Sequence, residues 1–444
     1  LLQQWRNLHS LMHHRETMSP SWITVTREAA EDLMQIVPEW ARTEVEEVVE
    51  LACRVNVNAH GFGDDSKPNS VIGVGLFPFA AMVNHACRPN CTFVYHGGKL
   101  VVRTLEGVSA GTELSVCYID LLQSTAERRQ ELLTTKHFLC ACSRCANLDP
   151  VDSYLDGVCC ADCCLNGCLT STPPPSPEDV IAAQLAELGV EQPSSKAKSA
   201  TGGRRGNGKK KGSGGGGGTA SPPAATSPAA IGSSREKGTS GGAAAVTVND
   251  GVMHCPACRR QFPIEVVERT LSRAKVSRAV PMAAVQQAKD ITRARKSLEK
   301  WLDDYDAGQR QAPTPRSSKS SSKKDTMKLH PSNAMVVRTL VPLANCCNFE
   351  EDYAASVRYL RRAVSAMELV YPPNYPELGD LYAALADAIS VFVEKRGQTL
   401  PNKAKSQSLS ERKQALERVA AIRSVCLGKD HPTTAEAMRA LARP

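Results

Sequence analysis

Apolar residues recur at helical spacing near both ends of the chain, and between those ends they gather in short runs. Leu8, Leu11 and Met12, then Val45, Val48, Val49 and Ala52 under a Glu-rich face, predict helices between Leu1 and about Val57. Val71 to Phe79 and Cys91 to Tyr95 predict strands. His96-Gly97-Gly98-Lys99 reads as a turn, and Leu100 to Leu105 resumes as the second arm of a hairpin. Gly107 to Gly111 marks another turn, Glu113 to Tyr118 another strand, and Thr125 to His137 a charged helix. Glu265 to Tyr305 is helical, and His330 to Pro444 is a run of helices with three apolar stripes: Leu360, Ala363, Val364, Met367; Leu378, Leu381, Tyr382, Leu385, Ile389; and Leu416, Val419, Ile422, Cys426. Tyr375-Pro376 and His431-Pro432 each follow one helix and start the next, farther apart than the roughly 34 residues of a tetratricopeptide repeat. The polar segment Gln398 to Ser408 could account for part of that excess. A helical-hairpin array is expected here, with an irregular bundle as the alternative.

Composition changes the picture in one place. The chain has 444 residues and a formal charge of +8, which invites a nucleic-acid reading. Yet Gln192 to Asn249 holds nine basic residues against one acid, Glu236, an excess equal to that of the whole chain. The same stretch carries 14 of the 30 glycines and little that is large and apolar, so it is expected to be a disordered linker. Specific nucleic-acid binding is therefore not expected, and Lys209-Lys210-Lys211 reads as solubilising. Gly308 to Lys324 is a second Ser/Lys/Pro linker. No run approaches the roughly 20 apolar residues of a membrane span, so a soluble protein is expected, and the cysteine usage points to a reducing compartment, cytoplasmic and/or nuclear.

The 17 cysteines are more informative. Cys140, Cys142, Cys145, Cys159, Cys160, Cys163, Cys164 and Cys168 crowd one short segment, and short-range pairing favours thiolate metal sites over a disulfide framework. Cys140-x-Cys142-x-x-Cys145 offers three thiolates, one short of the tetrahedral set that zinc prefers, and Cys87 is the natural fourth. Cys160-x-x-Cys163 and Cys255-x-x-Cys258 form two knuckles separated by 91 residues, a second zinc site of the ribbon kind. Loop closure costs only about 0.6 kcal/mol per doubling of length, so the insert does not prevent their pairing. Which cysteines of the crowded segment act as ligands stays open at this point.

Three segments then combine: Asn84-His85-Ala86-Cys87-Arg88-Pro89-Asn90, Glu113-Leu114-Ser115-Val116-Cys117-Tyr118-Ile119-Asp120, and Phe138-Leu139-Cys140-Ala141-Cys142-Ser143-Arg144-Cys145. In this order and spacing they resemble the SET-domain lysine methyltransferases, and specifically their SMYD branch. The resemblance covers Leu1 to about Cys145 well and the helical C-terminus more loosely. It implies that the Asn-His segment and the Tyr strand cross in a knot-like arrangement around S-adenosylmethionine. It also implies that Asn58, Asn84, His85, Tyr118 and Phe138 hold the cofactor, Phe138 by stacking on adenine. By the same resemblance Tyr118 is the active-site tyrosine, and Cys87, Cys140, Cys142 and Cys145 bind a zinc ion. SMYD proteins open with a Gly-x-Gly loop and carry a MYND zinc module. Neither occurs in this chain, which starts at Leu1 without a Met and is expected to be N-terminally truncated.

Methyl transfer from a sulfonium to a neutral amine demands alignment more than a strong base, and an apolar channel favours the deprotonated lysine. A tyrosine hydroxyl suits such a channel. The fold expected is α+β: a β-rich SET fold with a helical insert and a zinc-bound post-SET segment, followed by an all-α, TPR-like C-terminal domain. Its divisions are a helical SET insert region (1–62), the SET core (63–139), and the post-SET zinc segment with the first ribbon knuckle (140–168). A disordered linker (169–251), the second knuckle with helices (252–305), a linker (306–328) and the TPR-like domain (329–444) follow. The expected activity is methylation of protein lysines, histone or non-histone, with a helical domain open to a peptide partner. The alternative is a catalytically inactive zinc-binding scaffold for protein–protein contacts.

Overall fold

The computed structural model describes residues 2–63, 72–96, 98–146, 150–160, 163, 168–169, 248–249, 252–255, 257–309 and 327–442. All belong to one body made of Leu1–Pro175 and Ala243–Pro444. The basic glycine-rich tract lies outside the described residues. At its edges, Leu169 is fully buried and Val248–Asn249 is a strand, so the folded body extends past both linker ends set at 169 and 251. The second linker is narrower too, because Asp306, Ala307 and Met327 are all buried.

Three helices come first: α1 (Leu2–His9), α2 (Pro20–Ile36) and α3 (Val45–Asn58). Ser19 caps α2 by accepting the Trp22 N–H, and Pro20 occupies the first turn, where an amide hydrogen is not needed. Val49 and Cys53 of α3 pack with Ala30 of α2 and Met18. Helix α1 stops at His9, so Leu11 and Met12 belong to the connection rather than to a helical stripe; Leu11 is buried and Met12 exposed.

The end of α3 runs into β1 (Ala59–Phe62), which pairs antiparallel with β2 (Gly73–Leu76). The strand expected to reach Phe79 ends at Leu76, because Pro78 cannot donate to a ladder and instead opens a helical turn, α4 (Pro78–Ala81). Strands β4 (Cys91–His96) and β5 (Lys99–Thr104) form the predicted hairpin, with Gly98 in the left-handed region at φ 78°. Between α4 and β4 lies the two-residue β3 (Asn84–His85). It pairs in parallel with β6 (Ser115–Val116), which is much shorter than the strand expected from Glu113 to Tyr118. Asn90 fixes this approach: its side-chain oxygen accepts the Ser115 N–H at 2.8 Å and its amide donates to the Glu113 carbonyl at 2.9 Å. Helix α5 (Thr125–Lys136) opens with a reciprocal capping box between Ser124 and Glu127 and ends at His137, which is left-handed at φ 60°.

Farther on, β7 (Val158–Cys159) lies between β12 (Lys328–Leu329) and β8 (Cys168–Leu169), and β10 (Val252–His254) lies between β11 (Gln261–Pro263) and β9 (Val248–Asn249). The helical stretch predicted to Tyr305 is two helices, Ile264–Gln286 and Ile291–Tyr305. They are split where Ala288 and Asp290 take left-handed angles and Asp290 caps the second by accepting the Arg293 N–H. Five helices then pack each on the next: Ala334–Phe349, Tyr353–Val370, Pro376–Arg396, Asn402–Cys426 and Pro432–Ala442. The expected array of helical hairpins is present. The polar segment Gln398 to Ser408 is no loop insertion: from Asn402 it is the first two turns of the longest helix, so the extra length is spent on long hairpin arms. Among the described residues no helix is long and apolar enough to cross a membrane.

The two halves share one core. Cys87, Leu105, Leu121, Leu132 and Cys145 pack with Val337, Val370, Tyr371, Tyr375, Ile422 and Cys426 of the C-terminal helices. Polar contacts fix the junction: the Tyr371 hydroxyl donates to Asp120 at 3.0 Å, Asn374 to the Leu105 carbonyl at 2.7 Å, and Arg103 to the Val425 carbonyl at 3.0 Å. Beneath it lies a buried charge network. Asp152 receives Arg128 through two hydrogen bonds of 2.9 and 2.8 Å and Arg144 through two more of 3.1 and 2.7 Å. Arg128 is fully buried. Burial alone would push the Asp152 carboxyl up, but the two guanidinium groups outweigh it and hold the carboxyl below its ordinary range.

Two outcomes follow from these contacts. Asp152→Ala leaves two buried guanidinium groups without their carboxylate and lowers the unfolding free energy by about 3–5 kcal/mol in urea titration. His330 stacks on Tyr154 at 4.3 Å, and burial pushes its pKa from 6.5 down to about 4. Between these values the unfolded chain binds more protons, so the stability present above pH 6.5 is lost as pH falls toward 4. In His330→Gln the fall in the thermal midpoint from pH 7 to pH 4 is therefore shallower.

Candidate functional site

The parallel contact of β3 with β6 brings together residues that the sequence holds far apart. His85 Nδ1 accepts the Tyr118 N–H at 3.1 Å, which leaves the ring proton on Nε2, and Nε2 faces the Cys87 sulfur at 3.2 Å. Burial pushes the His85 pKa down to about 4, so the ring is neutral near pH 7. Tyr118 donates its hydroxyl to the Val83 carbonyl, and burial raises its pKa. The left-handed His137 turns the chain out of α5 and sets Phe138 against both rings, 6.1 Å from His85 and edge-on to Tyr118 at 6.4 Å.

These rings line a cleft of about 660 Å³, and Asn58 and Asn84 line it with them. All five residues singled out from the sequence for cofactor contact thus stand on one cavity. Asn84 donates to the Glu113 carboxylate at 2.6 Å, while the Asn58 amide donates to the Met12 and Arg54 carbonyls at 2.8 and 2.9 Å.

Two further residues in the cleft carry chemistry that the sequence reading did not use. Lys136 closes α5 with its ammonium 5.8 Å from the Tyr118 ring centroid; it donates to the Val57 carbonyl at 2.7 Å, and burial lowers its pKa. Its position two residues before Phe138 was the available signal. His60 sits edge-on to Phe93 at 4.7 Å and Phe77 at 6.1 Å, and its Nδ1 is buried without a hydrogen-bond partner. Burial first, and then Lys136, lower its pKa.

Beside the cleft, Cys87, Cys140, Cys142 and Cys145 bring their four sulfurs within 4.8 Å of one another, close enough to hold a metal ion. The Cys87 N–H points to the Cys142 sulfur at 3.4 Å and Arg128 reaches the Cys145 sulfur at 3.6 Å. Arg129 donates to the Cys140 and Cys145 carbonyls, and Arg144 to the Cys87 carbonyl at 3.1 Å. The loop after β3 is thereby bound to the segment after α5 by both sulfur and backbone contacts. Elsewhere in the body Cys160, Cys163, Cys255 and Cys258 also bring four sulfurs within 4.8 Å of one another.

Residues 16–119 match the SET domain family. Over 86 residues the chain is 41% identical to "Histone-lysine N-methyltransferase SMYD3" of Mus musculus, covering 19% of this chain and 20% of that protein. It is 31% identical over 137 residues to "Histone-lysine N-methyltransferase ASHR1" of Arabidopsis thaliana, covering 30% and 28%. It is 36% identical over 93 residues to "N-lysine methyltransferase SMYD2" of Homo sapiens, covering 21% and 22%. The chain thus matches only 20–28% of the length of these relatives. The SET-domain match takes in Asn58, Asn84, His85 and Tyr118, four of the residues that line the cleft.

Proposed function

We propose that this chain transfers a methyl group from S-adenosylmethionine to a lysine amine of a protein substrate. The observation that carries the reading is the convergence of Asn84, His85, Tyr118 and Phe138 on one cleft through the short parallel pairing of β3 with β6. The cavity volume lies within the roughly 300–1,000 Å³ of small-molecule sites. Its lining suits the cofactor: an aromatic face at Phe138, side-chain amides at Asn58 and Asn84, and a carboxylate at Glu113. When bound, the cofactor supplies an electrophilic methyl group on a sulfonium.

This chain's own residues do the rest. The Tyr118 oxygen, fixed by donation to Val83, keeps lone pairs free to accept an N–H of the incoming amine and so aim its nitrogen. His85 holds the Tyr118 backbone in place. Lys136 adds a like charge in a partly desolvated cleft, and both effects favour the neutral, nucleophilic form of a second lysine. Cys87, Cys140, Cys142 and Cys145 would hold zinc as a closed four-thiolate site, with no open position for catalysis. Two of the relatives are named as histone-lysine methyltransferases, which supports histone lysines among the substrates, with non-histone lysines equally open to this chemistry. The C-terminal helical hairpins offer a surface for a peptide partner, and a cytoplasmic or nuclear setting suits reduced thiols and such substrates.

With radiolabelled cofactor and a lysine peptide library, Tyr118→Phe retains cofactor binding by calorimetry and loses turnover on the order of a hundredfold. Undiminished turnover removes Tyr118 from the mechanism, and a zinc-loaded protein that binds no cofactor favours a scaffold without catalysis. In Lys136→Met the loss of a neighbouring cation raises the pKa of the acceptor amine, so the rising limb of the kcat/KM profile moves to higher pH. An unmoved limb shows that Lys136 plays no part in deprotonating the acceptor.

A further inference from the structure

Of the cysteines outside the cleft, several are ordinary core thiols. Cys53, Cys346, Cys347 and Cys426 are buried, and none belongs to a metal-competent group among the described residues. Cys160, Cys163, Cys255 and Cys258 differ from them in three respects.

The first is distance. In a zinc tetrathiolate with bonds of about 2.3 Å, neighbouring sulfurs stand about 3.8 Å apart, whereas a disulfide needs about 2.05 Å. Cys160 and Cys258 place their sulfurs 3.6 Å apart, and Cys163 and Cys255 3.4 Å, so both pairs have the spacing of a tetrahedron edge. The second is backbone shape. The β10–β11 hairpin pairs Met253 with Phe262 and holds the Cys255–Cys258 turn at its tip. There the Cys255 N–H donates to the Arg260 carbonyl at 2.9 Å, the Arg259 N–H returns to the Cys255 carbonyl at 2.9 Å, and Arg259 is left-handed at φ 62°. A strained non-glycine residue in such a turn costs free energy and persists only where the surrounding structure holds it. The third is setting. Cys160 and Cys255 pack into the main apolar cluster with Val158, Met253 and Phe262, while Cys258 is exposed. The group therefore has a dry side for rigidity and a wet side for ion entry.

We propose that these four residues form a second, purely structural zinc(II) site that joins the β7 side of the chain to the β10–β11 hairpin. It lies outside residues 16–119 and does not rest on the methyl-transfer reading. Four thiolates close the coordination shell, so the ion has no open position for substrate. It binds together two segments whose sulfurs are 92 and 98 positions apart in the chain, with the glycine-rich tract between them. Zinc fits better than magnesium or calcium, which take oxygen ligands.

The test is metal counting by plasma mass spectrometry on the full chain purified under reducing conditions without chelator. Two zinc ions per chain are expected in the wild type, and one in Cys255→Ser/Cys258→Ser. Cys140→Ser/Cys142→Ser also keeps one, which separates failure of this site from failure of the other. Because either variant can fold poorly, cobalt(II) substitution of the wild type gives an independent reading, with visible absorption of tetrahedral thiolate character rising to two equivalents. Native-state alkylation then leaves Cys160 and Cys255 unlabelled until a chelator is added. Overturning results are one zinc per wild-type chain with these four thiols freely alkylated, or a Cys160–Cys258 or Cys163–Cys255 disulfide in mass spectrometry of protein kept anaerobic and reduced.

Discussion

The approach of Cys87 to Cys140, Cys142 and Cys145 is the constraint on which the rest of the cleft depends. The four sulfurs pull the loop after β3 onto the segment after α5, and Arg128, Arg129 and Arg144 complete the contact through carbonyl, sulfur and carboxylate partners. His85 lies two residues before one of these cysteines and Phe138 two residues before another, so closing the cluster brings their rings together. An ion between the thiolates would gather negative charge at a buried place. The guanidinium groups of Arg128 and Arg144, shared with one carboxylate at Asp152, supply the opposing charge there.

The cleft is polarised by the same arrangement. One wall is aromatic and amide-lined, from Asn58, Asn84, His85 and Phe138, while Lys136 and the unpartnered Nδ1 of His60 stand on it as partly buried polar groups. An amine entering such a space would meet a hydroxyl that can orient it and a cation that discourages its proton.

Much of this was legible in the chain. Thiolate spacing is local chemistry: Cys-x-Cys-x-x-Cys and two Cys-x-x-Cys knuckles predict the two groups of four sulfurs that the fold brings together, with Cys87 completing the first. The three helical stripes of the C-terminus were equally clear, because periodicity survives packing. What escaped depends on distant partners or on single backbone angles. Lys136 reads as the polar end of a charged helix, and only the Val57 carbonyl, 79 positions earlier, and the left-handed turn at His137 reveal it as a cleft residue. Arg128 and Arg129 look like solvent-facing charges on that helix, yet both are buried because Asp152 and the cysteine carbonyls await them. The β6 strand was overestimated because an apolar run says nothing about how many residues find a partner.

The shared core has a consequence for how the chain is made. Cys87, Leu105 and Cys145 pack in one cluster with Ile422 and Cys426, and Arg103 donates to the carbonyl of Val425, 322 positions later. A ribosome synthesises from the N-terminus, so the SET region emerges long before the helix that completes its floor. Until Asn402–Cys426 arrives, the cysteine cluster and the base of the cleft stand on an unfinished apolar surface. The helix Asn402–Cys426 is thus part of the timing of maturation: the floor of the site is completed only after a segment some 300 residues further along has been translated.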